Sequence, residues 1–460
     1  MSISRKQFIR QAGAVALGFS GLHIFSNCAG KNKLNPGIIS EAFGPLKPDP
    51  QGIMDLPEGF SYKIISRFGD TMDDGFYVPH RPDGMATFEG PDGLTILIRN
   101  HEVNAARGGD ESAFGSDFAL AGKLSREDFY DPGIDTNPGQ GGTTTVVYDT
   151  DKQQVVRQYL SLAGTLRNCA GGPTPWNSWL SCEEIVMHPD DTYAKSHGYV
   201  FEVPARVEPG LARPEPITAM GRFNHEAVAV DPNSGIVYLT EDDSEGLLYR
   251  FIPNTRGKLH DGGQLQALAI AGEPGKDTRN WGSREVPIGR SMGVEWIDME
   301  DVDAPNDDLR YRGYDDGAAR FARGEGMWYG NDAVYFVCTN GGARKLGQVW
   351  KLTPGRNGNR EDKLELFVEP NDGSMIENGD NIVVAPWGDC FVCEDGDNEQ
   401  FLVGITPEGS IYKFGRNAVS TSELAGATFS PDGSTMFVNI QHEGLTLAIT
   451  GPWDKAMKKS

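Results

Sequence analysis

The chain has few cysteines, few basic residues and almost no long apolar segments. Its 460 residues include 6 cysteines and 42 lysines and arginines against 65 acidic residues, which gives a net charge of −23. This charge disfavours nucleic acid and anionic membranes as partners, because both repel an acidic protein. No segment after the first 25 residues could span a membrane, and patterns of long amphipathic helices are scarce. Glycine (58) and proline (28) are plentiful, as expected for many short strands joined by turns.

The first 30 residues have the composition of an export signal. The basic segment SRKQF (residues 4–8) precedes a mostly apolar segment over residues 12–25, which is shorter than a membrane span. Its order resembles a twin-arginine signal with lysine as the second basic residue, and a Sec signal is the alternative. Cys28 is a candidate lipid anchor or an unmodified cysteine near a cleavage site. We expect an exported protein, either periplasmic, secreted or a cell-surface lipoprotein, with a spacer over residues 31–50.

Four segments of the chain repeat one pattern: an acidic or polar residue, a short strand, a turn and a second strand. Their turns are rich in Gly, Pro, Asn and Asp, and the returning strands are β-branched or aromatic, which is typical of hairpins. The segments are residues 222–240, 323–339, 379–393 and 424–440. Such units at periods of about 40–55 residues predict the blades of a propeller. We therefore predict an all-β fold, a single catalytic β-propeller of about six blades over residues 51–455, with a long insertion near residues 253–322.

Five cysteines follow Cys28, which is an odd number for a chain expected in an oxidising compartment. Three of them, Cys338, Cys390 and Cys393, lie in strand-like segments, where buried thiols act as small apolar residues. Cys169 differs, because it stands in a glycine-rich segment, LRNCAGGPTP, that we predict to be a loop. It is a candidate metal ligand, and a buried neutral thiol is the alternative.

Three acidic residues occupy the same place in three repeats: Glu226, Glu325 and Asp380. The first strand of a propeller blade lines the central channel, so equivalent residues of different blades converge there. Converging carboxylates repel one another unless cations neutralise them. The repeat therefore predicts a metal site in the channel. His225, beside Glu226, is either a further ligand or a residue that orients Glu226.

Two other acidic segments allow weaker predictions. Asp242 and Asp243 are predicted to form a solvated turn, with a calcium site away from the centre as the alternative. Residues 80–90 are predicted to be a loop, and residues 91–102 a blade strand whose polar end includes Asn100 and Glu102. Glu102 is a candidate metal ligand, and a residue at the edge of a blade is the alternative.

Several longer segments resemble, in order, the signature blocks of the PhoX-type alkaline phosphatases. These segments are NCAGGPTPWNSWLSCEE, GRFNHEAVAVD, RGEGMWYG, GDNIVVAP and LAGATFSPDGSTMFVNIQHEG, and the resemblance covers most of residues 50–450. It implies an exported six-bladed propeller that holds iron and calcium ions in its channel and hydrolyses phosphate monoesters. The partner would be a small-molecule phosphate ester, and we expect a monomer.

The resemblance also implies roles for individual residues. The implied metal ligands are Cys169, on iron, and Glu184, Glu226, Glu325 and Asp380. Glu183 is the alternative to Glu184, and Glu394 or Asp395 is the alternative to Asp380. Arg323 would bind the phosphate group, and a structural ion pair with Glu325 is its alternative role. The chemistry agrees: Ca²⁺ prefers carboxylate oxygens, iron also accepts thiolate, and arginine binds phosphate bidentately.

The chain departs from the family at one place. The family has a segment before the cysteine block that supplies a phosphate-binding asparagine, and this chain has only a hairpin there. Asn100 or Asn168 is a candidate to replace that asparagine. Two other functions stay open on the sequence alone: a calcium-dependent propeller hydrolase that acts on phosphodiesters or lactones, and a non-catalytic propeller that binds at the cell surface.

Overall fold

Six inner strands form a closed ring around a central channel, and each of them begins one blade of a β-propeller. The structure, a computed structural model, describes residues 42–104, 109–134, 137–356 and 361–453, which all fall in one compact unit. In order around the ring, the inner strands are β4 (Pro82–Glu89), β8 (Asn168–Pro173), β11 (His225–Val230), β16 (Gly324–Gly330), β20 (Gly379–Val384) and β24 (Leu424–Phe429). Each contacts the next, and β24 contacts β4. The predicted all-β propeller of about six blades is confirmed.

Antiparallel strands outside each inner strand complete the blades. The first blade continues with β5 (Leu94–His101), β6 (Gly141–Asp149) and β7 (Gln154–Thr165), and the second with β9 (Ser178–Glu183) and β10 (Val200–Pro204). The third continues with β12 (Val237–Glu241), β13 (Leu248–Pro253) and β14 (Gly263–Ile270), and the fourth with β17 (Ala333–Cys338), β18 (Gln348–Thr353) and β19 (Lys363–Val368). The fifth continues with β21 (Cys390–Glu394), β22 (Phe401–Ile405) and β23 (Ile411–Asn417), and the sixth with β25 (Thr435–Ile440) and β26 (Leu445–Thr450).

The segment predicted to be an insertion, residues 253–322, has mixed roles. Its first part, β14, is the outer strand of the third blade, and β15 (Ser291–Asp298) then pairs with both β14 and β19. Blades three and four therefore share one nine-stranded sheet, and the six blades form five hydrogen-bonded sheets. Helix α1 (Leu309–Asp315) follows as the one α-helix in the described ranges. Nowhere in those ranges is a helix long and apolar enough to cross a membrane.

Strands from the N-terminal end of the described chain close the propeller. After the short strand β1 (Leu46–Lys47), strand β2 (Met54–Pro57) pairs with β23 of the fifth blade. Strand β3 (Ser61–Arg67) pairs with β26 and so supplies the outer strand of the sixth blade. The ring of Trp453 packs against that of Phe60, with centroids 4.6 Å apart. The predicted export signal, Cys28 and the first part of the predicted spacer lie outside the described residues.

Every inner strand has a β-bulge near its start: the register with the neighbouring strand shifts between the first and fourth residues of five strands, and between the second and fifth residues of β24. Bulges bend a strand and redirect its side chains, and they are common beside active sites. Small residues at the bulges let the inner strands approach closely. A Cβ on Gly84 would lie 2.5 Å from the Cα of Ala170 in the next blade, and one on Gly326 would lie 2.5 Å from the Cα of Asn381.

Two segments predicted to be loops are inner strands instead. They are Pro82–Glu89, within the predicted loop over residues 80–90, and Asn168–Pro173, which carries Cys169. Proline and glycine suggested loops at both places. These residues are tolerated because the channel-facing edge of an inner strand has no further strand to bond, and because close packing at the bulge favours residues without large side chains.

Candidate metal centre and active site

The second residue of five inner strands has a side chain that could bind a metal ion. These residues are Asp83, Cys169, Glu226, Glu325 and Asp380. The sixth inner strand has Ala425 at this position, and Glu423 lies just before that strand. The repeat therefore places one ring of donor groups at one level of the channel, within the bulges.

A second ring of carboxylates comes from the residue that follows the second strand of a blade. Its members are Glu102, Glu184, Asp242 and Asp395. In all six blades the backbone N–H at this position donates to the carbonyl of the residue just before the inner strand, over 2.9–3.3 Å. This repeated hydrogen bond keeps the end of the second strand beside the start of the first, so the two rings lie together.

The donor atoms of the two rings form four overlapping groups, and the atoms within each group lie within 4.8 Å of one another. The groups are Asp83–Glu102–Cys169, Cys169–Glu184–Glu226, Glu226–Glu325–Asp380 and Asp380–Asp395–Glu423. Successive groups share a residue, so they make one continuous cluster, here called the channel cluster. Its nine members come from all six blades. The five ligands first predicted all belong to it, together with Glu102 and Asp395.

Glu226 shows most clearly that the channel cluster lacks compensation within the protein. Its side chain is completely buried, with 0% of the residue exposed, and neither carboxylate oxygen accepts a hydrogen bond from a described residue. Burial, and then the charges of Glu325 and Glu184, raise the pKa of Glu226 well above its ordinary value. A buried carboxylate without a donor is strongly destabilising unless a cation pairs with it, so the residue is suited to a metal ion.

The thiol of Cys169 is in the same situation. Burial, followed by the nearby charges of Asp83 and Glu226, raises the pKa of this thiol well above its ordinary value. The thiol is therefore neutral in the metal-free protein, and a bound cation would favour the thiolate, which is the form that ligates metals. The other described cysteines are also buried and free, but none belongs to a group of possible ligands.

Arg323 lies at the edge of the channel cluster with 41% of its side chain exposed. Its Nε and Nη2 atoms donate to the two carboxylate oxygens of Asp242, both over 2.7 Å, and Nη2 lies 3.1 Å from Glu325. These carboxylates raise the pKa of Arg323. The solvated turn predicted at Asp242 is wrong, because this side chain is only 8% exposed and belongs to the second ring.

Two of the alternative ligands point away from the channel cluster. The Glu183 carboxylate accepts hydrogen bonds from the backbone N–H groups of Leu166 and Gly198, each over 2.9 Å, and lies 2.6 Å from His197. Glu394 accepts from two backbone N–H groups and from the ammonium group of Lys413, the last over 2.7 Å. Both are the last residue of a second strand, and side-chain direction alternates along strands. Their neighbours Glu184 and Asp395 therefore face the channel.

The two candidate asparagines are used inside the blades. Asn100 donates to the carbonyl groups of Cys169 and Ala170, over 3.2 and 2.6 Å, so it supports the bulge that carries the thiol. Asn168 bonds to the hydroxyl groups of Thr165 and Ser181, over 2.7 and 2.9 Å. Both amides have their bonds within the second blade or between it and the first, and neither extends into the channel cluster.

His225 is buried and stacks on Phe223, with ring centroids 3.6 Å apart. Its Nε2 atom lies 3.0 Å from the carbonyl of Gly221. Burial lowers the pKa of His225 to about 3, so the ring is neutral. It belongs to none of the groups of possible ligands, and it makes no hydrogen bond to Glu226 among the described contacts.

The channel cluster contains residues that the sequence patterns did not single out. Asp83 and Glu423 are members, and Arg167 lies against the cluster in contact with both Glu102 and Glu184. Each lies at a position that is equivalent from blade to blade. Aligning all six blades on their inner strands would have found them, but only four repeats are recognisable in the sequence.

The geometry defines a propeller enzyme with a candidate metal centre of one thiol and eight carboxylates in its channel. The family model of the alkaline phosphatase PhoX matches residues 41–444. The chain belongs to the PhoX alkaline phosphatase family, and this membership confirms the prediction of a phosphatase of the phosphoric monoester hydrolase class.

Of the solved structures to which this chain is similar, one supports the fold directly. PhoX of Pseudomonas fluorescens, solved in complex with the transition-state analogue vanadate, superposes with a TM-score of 0.63 at 18% identity, over 93% of this chain and 98% of that one. A gluconolactonase of Xanthomonas campestris gives a TM-score of 0.37 at 11% identity, over 89% and 98% of the two chains. A search of curated proteins found no match.

Proposed function

We propose that the protein is a metal-dependent alkaline phosphatase that hydrolyses phosphate monoesters, with iron and calcium ions bound by the channel cluster. The observation that carries this proposal is the cluster itself, in which one thiol and eight carboxylates from six blades lie beside Arg323. The vanadate bound to the Pseudomonas fluorescens protein mimics a phosphoryl-transfer transition state, and it supports the same chemistry for this chain.

The donor set fits both kinds of ion. Cys169, with Glu184 and Glu226, offers the mixed sulfur and oxygen donors that suit iron. Asp380, Asp395 and Glu423 offer only carboxylate oxygens, which suit calcium. The unpartnered oxygens of Glu226 agree with this assignment, because they need cations for compensation. Glu102 and Asp83 would extend the ligand set on the other side of Cys169.

When bound, such cations neutralise charge on phosphate oxygens and lower the pKa of water. The chain itself supplies the group that positions the ester. Arg323 is held by Asp242 through two parallel hydrogen bonds, so its guanidinium plane is oriented before substrate arrives. Its Nη1 atom donates no hydrogen bond to a described residue, so we propose that it donates to phosphate oxygens. Preorganised donors of this kind stabilise charge in the transition state.

Three substrates test the proposal: p-nitrophenyl phosphate, bis-p-nitrophenyl phosphate and a lactone, assayed with purified protein whose iron and calcium contents are measured. We expect hydrolysis of the monoester at alkaline pH and loss of activity with a calcium chelator. Metal-loaded protein that cleaves only the diester or the lactone would show that the family fold is retained with a different reaction.

The proposal includes the cellular location. The basic and apolar segments at residues 4–25 support export from the cytoplasm. Residues 51–455 would then act as a single catalytic domain outside the cytoplasm. Fractionation of cells that express the full chain, with and without the segment at residues 4–8, tests this part independently of catalysis.

A further inference from the structure

The residue just before each inner strand has the same place at the channel in all six blades. Its carbonyl accepts the hydrogen bond from the second-ring residue, which defines these six equivalent positions. They are occupied by Arg81, Arg167, Asn224, Arg323, Asn378 and Glu423. Arg323 is therefore one of six equivalent residues at the channel. An arginine at the same position of another blade can be presented in the same way.

Arg167 matches Arg323 closely. Both have left-handed backbone conformations, with φ of 47° and 52°, and their side chains are 39% and 41% exposed. A positive φ is uncommon outside glycine, and it occurs at four of these six positions, since Arg81 and Asn378 have φ of 49° and 48°, so the strand entry favours it. Both arginines also contact the channel cluster, and these contacts raise the pKa of each guanidinium.

Arg167 is bound to two members of the cluster. Its Nε atom donates to Glu102 over 2.9 Å, and its Nη2 atom lies 3.2 Å from the Glu184 carboxylate. Its Nη1 atom donates to the backbone carbonyl of Glu184 over 3.3 Å. A guanidinium has five N–H donors, so two remain beyond these three contacts. The two remaining N–H donors thus belong to a guanidinium group whose orientation is already fixed by its contacts.

The carboxylates of Glu184 and Asp242 connect the two arginines. Glu184 contacts Arg167, Asp242 contacts Arg323, and burial, the charge of Glu102 and the nearby Asp242 raise the pKa of Glu184. Between strands β8 and β16, which follow the arginines, lies β11, which carries the unpartnered Glu226. The two guanidinium groups therefore flank the most uncompensated part of the channel cluster. Arg81 differs, because its Nη1 atom donates to the amide oxygen of Gln441 rather than to a carboxylate.

We propose that Arg167 is a second phosphate-binding residue, which holds the ester phosphate from the side opposite Arg323. This inference rests on the proposed function, since it assigns a further contact to the same substrate. Glu102 and Glu184 orient Arg167 as Asp242 orients Arg323. Two forks can neutralise more of the phosphate charge than one, and they restrict the rotation of the phosphate in the site. With Arg167 in this role, the site can bind phosphate although the side chains of Asn100 and Asn168 are bonded inside the blades.

Binding of inorganic phosphate to metal-loaded protein, measured by calorimetry, tests the inference without relying on turnover. The variants are Arg167→Lys, which keeps the charge but loses the fork, and Arg167→Gln, which loses both. The matched control is Arg250→Lys, because Arg250 on β13 pairs with Asp362, just before β19, away from the inner strands. Iron and calcium contents are measured for every variant.

We expect both variants of Arg167 to retain metals and to bind phosphate about ten- to a hundredfold more weakly, as for loss of a charge-assisted contact. The KM for p-nitrophenyl phosphate should rise in parallel, and the control should bind as the original chain does. Unchanged phosphate affinity in metal-loaded Arg167→Lys and Arg167→Gln would overturn the inference and leave Arg167 as a structural ion-pair partner.

The proposed function can fail separately. If the original chain binds phosphate and the variants of Arg167 do not, but no monoester is hydrolysed, the phosphate site stands and the phosphatase proposal fails. If the original chain hydrolyses monoesters and the variants bind phosphate normally, only the inference fails. An original chain that is metal-loaded but binds no phosphate overturns both.

Discussion

Cys169 supplies the only sulfur donor in a cluster otherwise made of carboxylates, and its chemistry can be tested by a single-atom change. Replacing it with serine should remove iron and any thiolate-to-iron charge-transfer absorption, because a hydroxyl is a much weaker donor to iron. Metal analysis and visible spectroscopy measure the result. Cys390→Ala is the control, because Cys390 is buried in the hydrophobic core between the fourth and fifth blades. Retention of iron and absorption in Cys169→Ser would assign the thiol to packing.

Arg323 is the residue whose removal should affect catalysis most directly. Arg323→Ala should lower kcat/KM by about 10²–10³, or about 2–4 kcal/mol of transition-state stabilisation, because an oriented donor to the phosphate is lost. Iron and calcium should stay bound, since the cluster carboxylates are unchanged. Arg416→Ala is the control, because this arginine forms its ion pairs with Asp55 and Glu399 away from the inner strands. A rate equal to that of the control would show that Arg323 is only a partner of Asp242.

At the scale of the strand, part of the site was predictable and part was not. The repeated acidic residue placed Glu226, Glu325 and Asp380 together, because hairpin patterns indicate where an inner strand begins. The second ring was harder, since it depends on which residue of a strand end faces the channel. The difficulty comes from alternation along the strand: adjacent residues point to opposite sides, so a shift of one residue in the expected register exchanges them. Glu183 and Glu184 are adjacent acidic residues, and only three-dimensional register separates them.

Glu183 and Glu394, the buried carboxylates that end two of the second strands, have a structural role rather than a place in the channel cluster. Glu183 accepts a hydrogen bond from the backbone N–H of Leu166 and contacts one ring nitrogen of His197. The other ring nitrogen of His197 lies 3.3 Å from Asp131. The side chains of all three residues of this network are buried. It holds the segment that leads to Arg167 and strand β9, which ends at Glu183 just before Glu184. The contacts among Glu183, His197 and Asp131 therefore help to fix the geometry of the second blade.

The His197 network predicts a dependence of stability on pH. The two carboxylates raise the pKa of His197 from 6.5 to about 9, against the opposing effect of burial. Protonated His197 therefore stabilises the folded state by about 3 kcal/mol below pH 6.5, and this contribution falls as pH rises and is lost above about pH 9. Urea unfolding of the original chain and His197→Gln at pH 6 and pH 9.5 should show their difference shrinking at the higher pH.

The exposed His260 provides the control for this experiment, because His260→Gln should change stability little at either pH. A difference between the original chain and His197→Gln that stays constant from pH 6 to pH 9.5 would contradict the prediction. It would mean that His197 is not protonated between its two carboxylates in the folded protein.

At the scale of the whole molecule, the channel cluster is the point where all six blades meet. Five inner strands each contribute a carboxylate or a thiol to it. The sixth blade contributes Glu423, the residue just before its inner strand. Among the described residues, hydrophobic cores form largely between neighbouring blades, and none of these cores joins all six blades. Bound cations would therefore stabilise the closure of the ring as well as support catalysis.

Removing the cations should destabilise the entire propeller. An ion that binds only the folded state contributes about 3–4 kcal/mol when its concentration is 100–1,000 times its Kd. We expect a chelator to lower the midpoint of calorimetric unfolding and added calcium to restore it. An unfolding midpoint that does not respond to the chelator, in protein shown to have lost its metals, would confine the ions to a catalytic role.

The effect of Glu226→Gln on stability should change sign between the metal-free and the metal-bound protein. Without metals, replacing this unpartnered carboxylate with a neutral amide removes repulsion from Glu325 and Glu184, so the variant should be more stable than the original chain. With calcium and iron bound, the same change removes a charged ligand, and the variant should be less stable. Glu241→Gln is the control, since this buried carboxylate pairs with Arg310 outside the cluster, and its effect should be the same in both states. Calorimetric unfolding of the three proteins, with and without chelator, measures these differences. A Glu226→Gln variant that is destabilised equally in both states would show that Glu226 does not ligate a metal.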